Sequence, residues 1–237
     1  MKISIITPTI RERGLELVYK ALKYQIFKDW EWLIGSPFDP KIKEAKWVKD
    51  DFKGGFWTLN RIYNRLIKEA KGELLVSWQD YTWAKPDALQ KFWFHYQNNK
   101  KAVVSGVGNK YSDESWTNMV WKDPRQREDF GSFYETTFDN CEGNFCAVPK
   151  EAVLAVGCFI PEFDFAGFGM DWYSVFERLD EVGGWQFFLD QTNKSFSLPH
   201  PRNPNWDKYN LLGEKYEQLK ERLRKEGKWP VYPLTNL

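Results

Sequence analysis

Through the first 107 residues, short unbroken apolar runs alternate with longer stretches in which apolar positions recur every three or four residues. Residues 3–7 are the first run, stopped at Pro8, and predict a strand buried on both faces. Leu15, Val18, Tyr19, Leu22 and Ile26 follow at helical spacing and form the stripe of an amphipathic helix. Residues 30–34 predict a second strand ended by the turn Gly35-Ser36-Pro37, and 46–48 a weaker third. The clearest helix carries Leu59, Ile62, Tyr63, Leu66, Ile67 and Ala70 on one face, with Gly72 where a C-cap glycine belongs. A continuous apolar run at 74–78 predicts a central strand. Pro86 then opens a helix with Leu89, Phe92, Trp93 and Tyr96 inward, and 102–107 is a further strand.

Such alternation implies an α/β fold with a Rossmann-like, mainly parallel sheet built by right-handed crossovers. Ligands of such sheets gather at the carboxyl ends of the strands, here at 8–14, 35–40 and 79–83. Residues 108–143 lose the pattern, which suggests a long excursion with short strands, and an excursion that long inside a domain is commonly functional. Beyond it a strand at 145–149, a short helix at 150–156, a helix carrying Trp172, Val175, Phe176, Leu179 and Val182, and a strand at 185–189 are predicted. Tyr209, Leu212, Tyr216, Leu219 and Leu223 mark a charged amphipathic helix. The chain thus divides into a domain at 1–205, with halves 1–107 and 108–205, and a C-terminal helix and tail at 206–237.

Composition narrows the function. The 34 basic and 33 acidic residues nearly cancel, so no global field draws nucleic acid, and no nucleic-acid partner is expected. Three cysteines fit a reducing compartment, Cys141 and Cys146 lack zinc-site spacing, and no apolar run approaches a membrane span, so a cytoplasmic location is expected. The C-terminal helix mixes both signs of charge, which favours packing on the domain or a homodimer contact over a peripheral membrane surface. Aromatics reach 18% of the chain with 13 Trp; most serve the core, while Trp116 and Trp121 are candidates to stack on sugar faces.

Three residues carry the candidate chemistry. Asp80, in Gln79-Asp80-Tyr81 directly after the central strand, suits a hard cation bridging phosphate oxygens, or an ordinary turn. Asp171, flanked by Gly167 and Gly169 at the start of a helix, is either a general base or a carboxylate stabilised by the helix dipole. His200, in the loop Leu198-Pro199-His200-Pro201, is placed for a metal ligand, whereas His95 lies in a helix as a structural residue. Arg11, Arg13 and Arg61 are candidate phosphate contacts or surface charges.

The order of these motifs resembles the family 2 glycosyltransferases, which have the GT-A fold. Ile3-Ser4-Ile5-Ile6-Thr7-Pro8-Thr9 is similar to the family's opening strand and nucleotide loop, and Asp29-Trp30-Glu31-Trp32-Leu33-Ile34 to its second strand. Asn64 with Ala70-Lys71-Gly72-Glu73 matches the helix before the metal-motif strand, and Gln79-Asp80-Tyr81 with Pro86-Asp87-Ala88-Leu89 occupies the Asp-x-Asp region. Gly143-Asn144-Phe145, Val148-Pro149-Lys150-Glu151-Ala152 and Val156-Gly157-Cys158-Phe159 resemble its acceptor-side stretch. The resemblance implies a nucleotide-sugar-binding half at 1–107, with Thr7, Pro8, Thr9, Arg11, Asp39, Asn60, Asn64, Gln79 and Asp80 toward a UDP- or GDP-type donor. It implies an acceptor half at 108–205, with Trp116, Trp121, Asn144 and Gly169 toward a sugar-bearing or hydroxyl acceptor. It further implies Mn²⁺ or Mg²⁺ at Asp80 with His200, Asp171 as the base, and inversion at the anomeric carbon. Three departures stand out: Gly35-Ser36-Pro37 replaces the usual acidic residues after the second strand, with Asp39 as a substitute; the metal motif keeps one carboxylate; and Met170 precedes the base where an acidic residue is usual.

Two other classes compete. A sugar nucleotidyltransferase would carry a glycine-rich basic loop after the first strand, but residues 7–14 hold one glycine. A non-catalytic carbohydrate-binding protein would use the aromatics as platforms, yet leaves the strand–helix alternation and the placement of Asp171 without a purpose.

Overall fold

The structure is a computed structural model that describes residues 1–54, 58–166, 170–200 and 212–234. Strands β1 (Ile3–Pro8), β2 (Trp30–Ser36), β3 (Ala45–Lys49) and β4 (Leu74–Trp78) alternate with helices α1 (Leu15–Lys23) and α2 (Leu59–Glu69). Then come β5 (Thr82–Ala84), α3 (Ala88–Asn98), β6 (Ala102–Tyr111), β7 (Met119–Trp121), β8 (Phe133–Thr136), β9 (Phe145–Pro149) and α4 (Lys150–Ala155). Helix α5 (Asp171–Val182), β10 (Gln186–Ser197) and α6 (Leu212–Lys225) complete the order.

One ten-stranded sheet runs β3-β2-β1-β4-β9-β6-β10-β5, with β7 on β6 and β8 on β10. The pairs β2/β3, β1/β2, β1/β4 and β6/β10 are parallel. β9 is antiparallel to both β4 and β6, so β6 and β10 point the same way as β4. The carboxyl ends of β1, β2, β4, β6 and β10 therefore share one rim.

Period-two alternation sends neighbouring side chains to opposite faces. Ile3 and Ile5 of β1 join the core under α1 and α3, with Trp32, Val76, Leu89 and Phe92. Ile6 joins the other core, with Ile62 and Leu66 of α2, Val153 of α4 and Trp172, Val175 and Leu179 of α5. Helix α6 buries Tyr216 and Leu223 against Ile160, Phe163 and Trp229 of the same chain. Tyr216 Oη and Lys220 Nζ both donate to Glu177 of α5, and Trp229 Nε1 donates to Glu181 at 2.9 Å. The apolar stripe offered for domain packing or a homodimer is thus covered within the chain from Tyr216 on, while Tyr209 lies outside the described residues. Among the described residues, no helix is long and apolar enough to cross a membrane.

Three elements depart from the periodicity. α3 begins at Ala88 rather than Pro86, while β6 and β10 run to Tyr111 and Ser197, past the apolar runs that predicted them. The extension of β10 passes a register shift between Asp190 and Lys194. His95 Nε2 meets Asp190 Oδ2 there at 2.9 Å and the His95 ring stacks on Phe133 at 4.0 Å, the structural setting expected of His95.

Candidate functional site

The first half of the site is built at the ends of β1 and β4. Thr7 faces the core, accepting from Trp32 Nε1 at 2.9 Å and donating to the Trp78 carbonyl at 2.7 Å, which locks β1 to β2 and β4. Thr7 and Pro8 are both buried and position the loop from beneath. Two residues past β4, Asp80 turns inward and is 3% exposed. Its carboxylate accepts from Arg11 Nε at 2.9 Å and Nη2 at 2.5 Å, and from the Thr9 hydroxyl at 2.5 Å. Arg11 Nη1 donates to His200 Nδ1 at 2.5 Å, and the guanidinium lies 5.5 Å from the centre of the Tyr81 ring.

This convergence depends on Tyr81, whose φ of +57° lies in the left-handed region that glycine favours. Its N–H bonds the Gly14 carbonyl at 3.1 Å, and its carbonyl accepts from Leu198 N–H at 2.9 Å. A Cβ on Gly14 would come within 2.2 Å of the Tyr81 ring, so only glycine admits this approach. The β1 loop, the turn after β4 and the segment after β10 are thereby held in one place.

The groups at this point do not fit a divalent cation. A hard cation needs open carboxylate oxygens, but both oxygens of Asp80 are engaged by Arg11, and Thr9 takes a further bond. His200 presents Nδ1 to the same guanidinium. Among the described residues no group of three or more His, Cys, Asp or Glu is placed to hold a metal. Between Asp80 and His200, to which the family resemblance assigns Mn²⁺ or Mg²⁺, the structure places the guanidinium of Arg11.

The second half lies beside the same end of β4. Trp172 donates from Nε1 to Ser77 Oγ at 3.1 Å and packs on Gly143, where an added Cβ would come within 2.0 Å of the indole. This fixes Asp171, the first residue of α5. Burial pushes the Asp171 carboxyl from 3.8 up to about 6, against the backbone N–H groups of Trp172 and Asp171 that favour its ionised form, with the Asp164 charge adding to the rise. A carboxyl poised there is suited to gain and lose a proton near neutrality.

Asp164 is a functional candidate that the sequence reading missed. Burial raises its carboxyl to about 6 as well, opposed by hydrogen bonds from Asn60 and the charge of Arg61. Its Oδ1 accepts from Asn60 N at 2.7 Å and Nδ2 at 3.0 Å, and its Oδ2 lies 3.5 Å from Arg61 Nε. An anion at the start of α2 is favourably placed against the helix dipole. Its signal in the sequence was only an acidic residue seven positions before Asp171.

The remaining expected residues separate. Gln79 and Asn144 come together, joined from Nε2 to Oδ1 at 2.7 Å, with Asn144 exposed. Asn60 is 4% exposed and holds Asp164 instead of facing a ligand. Asn64 is a staple: Nδ2 donates to the Phe159 carbonyl at 2.8 Å and Oδ1 accepts from Phe159 N–H at 2.9 Å. Asp39 is exposed and accepts from the Lys41 amide at 2.9 Å, whereas Asp50, just past β3, is buried and accepts from Thr58 Oγ1 at 2.8 Å. Trp116 packs on Trp83, Tyr111 and Phe196, with centroids 6.0, 5.6 and 5.7 Å away. Trp116 is half-buried in this aromatic cluster, and Glu114, two residues earlier, pairs with Lys20 of α1 at 3.2 Å. Trp121 on β7 is 39% exposed, and Gly169 lies outside the described residues.

No protein-family model matches the chain, and no curated protein matches it in sequence. Solved structures match it in fold. The S. aureus TarS 1-349 crystal structure matches at 13% identity and a TM-score of 0.60 over 84% of this chain. TarS 1-349 with UDP matches at 14% and 0.64 over 85%, and with UDP-GlcNAc at 12% and 0.63 over 85%. The chain spans 60–61% of the length of these TarS chains. The fold is the GT-A-like α/β fold expected from the sequence.

Proposed function

We propose that this protein is a nucleotide-sugar-dependent glycosyltransferase that moves a sugar from a nucleoside diphosphate to an acceptor hydroxyl with inversion. The observation that carries the reading is Asp171, a carboxyl raised to about 6 beside the end of β4, in a fold shared with TarS, which has been solved with UDP and UDP-GlcNAc. The donor lies over the β1 loop and Gln79-Asp80-Tyr81, with a uridine diphosphate sugar the first donor to try and a guanosine one the second. The acceptor approaches from the side of Asn144 and α5. Its oxygen bonds to the anomeric carbon as the bond from that carbon to the phosphate oxygen breaks. The acceptor proton passes to Asp171, and the electron pair of the broken bond leaves with the diphosphate.

Positioning such a base contributes roughly 10²–10⁴ in rate. The fold also accommodates sugar nucleotidyl transfer, which releases pyrophosphate, and simple carbohydrate binding, which releases nothing. Incubation with a panel of nucleotide sugars and candidate acceptors, and in parallel with nucleoside triphosphates and sugar 1-phosphates, separates the three. Release of nucleoside diphosphate supports the reading, while release of pyrophosphate alone, or intact nucleotide sugars with every acceptor class tried, contradicts it.

A further inference from the structure

We infer that Arg11, braced by Asp80, supplies the positive charge that meets the departing nucleoside diphosphate, in the place where the family resemblance implies a divalent metal. This rests on the donor site proposed above. The Asp80 side chain is 2% exposed and that of Arg11 is 20% exposed, so the pair is a dipole with its positive end toward the rim. The two bonds to Asp80 use the Nε and Nη2 edge of the guanidinium, and the bond to His200 starts from Nη1 on another edge. A two-pronged carboxylate contact of this kind fixes the guanidinium plane. The Thr9 hydroxyl fixes the carboxylate in turn, so the charge is oriented before any ligand arrives.

A preoriented cation of this type is worth most where negative charge develops during the reaction. Here that charge is the electron pair of the breaking bond between the anomeric carbon and the phosphate oxygen, which stays on the diphosphate. A guanidinium matches phosphate oxygens in two-pronged fashion, and it is a fixed positive charge. Asp80 is thereby a positioning residue that acts through Arg11, which explains a metal motif reduced to one carboxylate. Tyr81 supports the arrangement from below, its ring under the guanidinium and 5.7 Å from His200.

The test is calorimetric titration of the full chain with UDP and with GDP, in EDTA and again in Mn²⁺, alongside Mn²⁺ electron paramagnetic resonance in the presence of the nucleotide. Wild-type protein should bind one of the two nucleotides equally well in EDTA and in Mn²⁺, and should leave the free Mn²⁺ signal undiminished. Arg11→Ala should weaken that binding by roughly 10- to 100-fold, as expected for losing charge-assisted hydrogen bonds. Arg11→Lys, which keeps a cation beside Asp80 and guards against a folding defect, should recover only part of the loss. Asp80→Asn should weaken binding without rescue by Mn²⁺. Binding that EDTA abolishes and Mn²⁺ restores would overturn the inference and leave the glycosyltransferase reading standing, as would unchanged binding by Arg11→Ala. Wild-type protein that binds neither nucleotide under either condition would overturn the inference, and the donor site with it.

Discussion

Replacing Asp171 with asparagine should stabilise the folded protein near neutral pH even as it removes the proposed base. The Asp171 carboxyl is moved from 3.8 up to about 6, chiefly by burial. Because this value is raised on folding, the native state binds more protons than the unfolded chain between these two values. The stability contributed by the protonated form is complete below 3.8, is lost as the pH rises through about 6, and stays lost above it. The rise from 3.8 to about 6 corresponds to about 3 kcal/mol. Asp171 is half-buried, and solvent screening reduces the effect to about 1–3 kcal/mol. Asparagine keeps the shape and the acceptor oxygen but holds no charge, so the variant escapes this cost. For a chain of this size, 1 kcal/mol moves the melting temperature by roughly 2–4 °C, so the variant should melt about 2–12 °C higher at pH 8 and at nearly the wild-type temperature at pH 4. Thermal melts followed by circular dichroism across pH 4–8 check this. A variant that melts lower than wild type at pH 8, or a difference that does not change with pH, would refute the assignment of a strained carboxylate at this position.

Three further outcomes follow from the same geometry. The rate of sugar transfer at low substrate should rise as Asp171 ionises through about pH 6, a limb that a pH–rate profile shows in wild type and that Asp171→Asn should lack. Gly143→Ala would drive a Cβ to within 2.0 Å of Trp172, displacing α5 at its first turn; about 1–3 kcal/mol lower stability in denaturant titration, with reduced transfer, is expected. Leu223→Ala removes a fully buried side chain from the cluster under α6 and should cost about 2–5 kcal/mol, read as an earlier urea midpoint; an unchanged midpoint would show that α6 is not docked as described.

Elements were legible in the sequence where one face decides them. The stripe from Leu59 to Ala70 became α2, and the run at 74–78 became β4 with unchanged bounds, because continuous burial leaves a period that survives any partner. Short strands were expected within 108–143, but β7 could not be bounded because all three of its residues are exposed and carry no alternation. Nothing local could show that β9 enters antiparallel between β4 and β6, since orientation depends on how the excursion before it returns.

Of the candidate site, the sequence marks Asp80 and Asp171 by their places after a strand and before a helix, but not the company they keep. Arg11 and His200 meet across 189 positions, and Asn60 meets Asp164 across 104. Asn64 was read with the nucleotide motifs, yet both ends of its amide are used by one peptide unit at Phe159. A side chain's type and spacing leave open whether its polar atoms face a ligand or a neighbouring backbone, and only the packing of α2 against the segment before α5 decides it.

The account turns on Asp171 as the base of a sugar transfer, and a single-turnover comparison on one matched pair of proteins tests it most directly. Wild type and Asp171→Asn are mixed in excess over the nucleotide sugar that wild type uses, with acceptor present, and nucleoside diphosphate release is timed while donor affinity is measured in parallel. The predicted result is a rate lower by roughly 10²–10⁴ in the variant with donor affinity retained. Turnover at the wild-type rate by Asp171→Asn would contradict it.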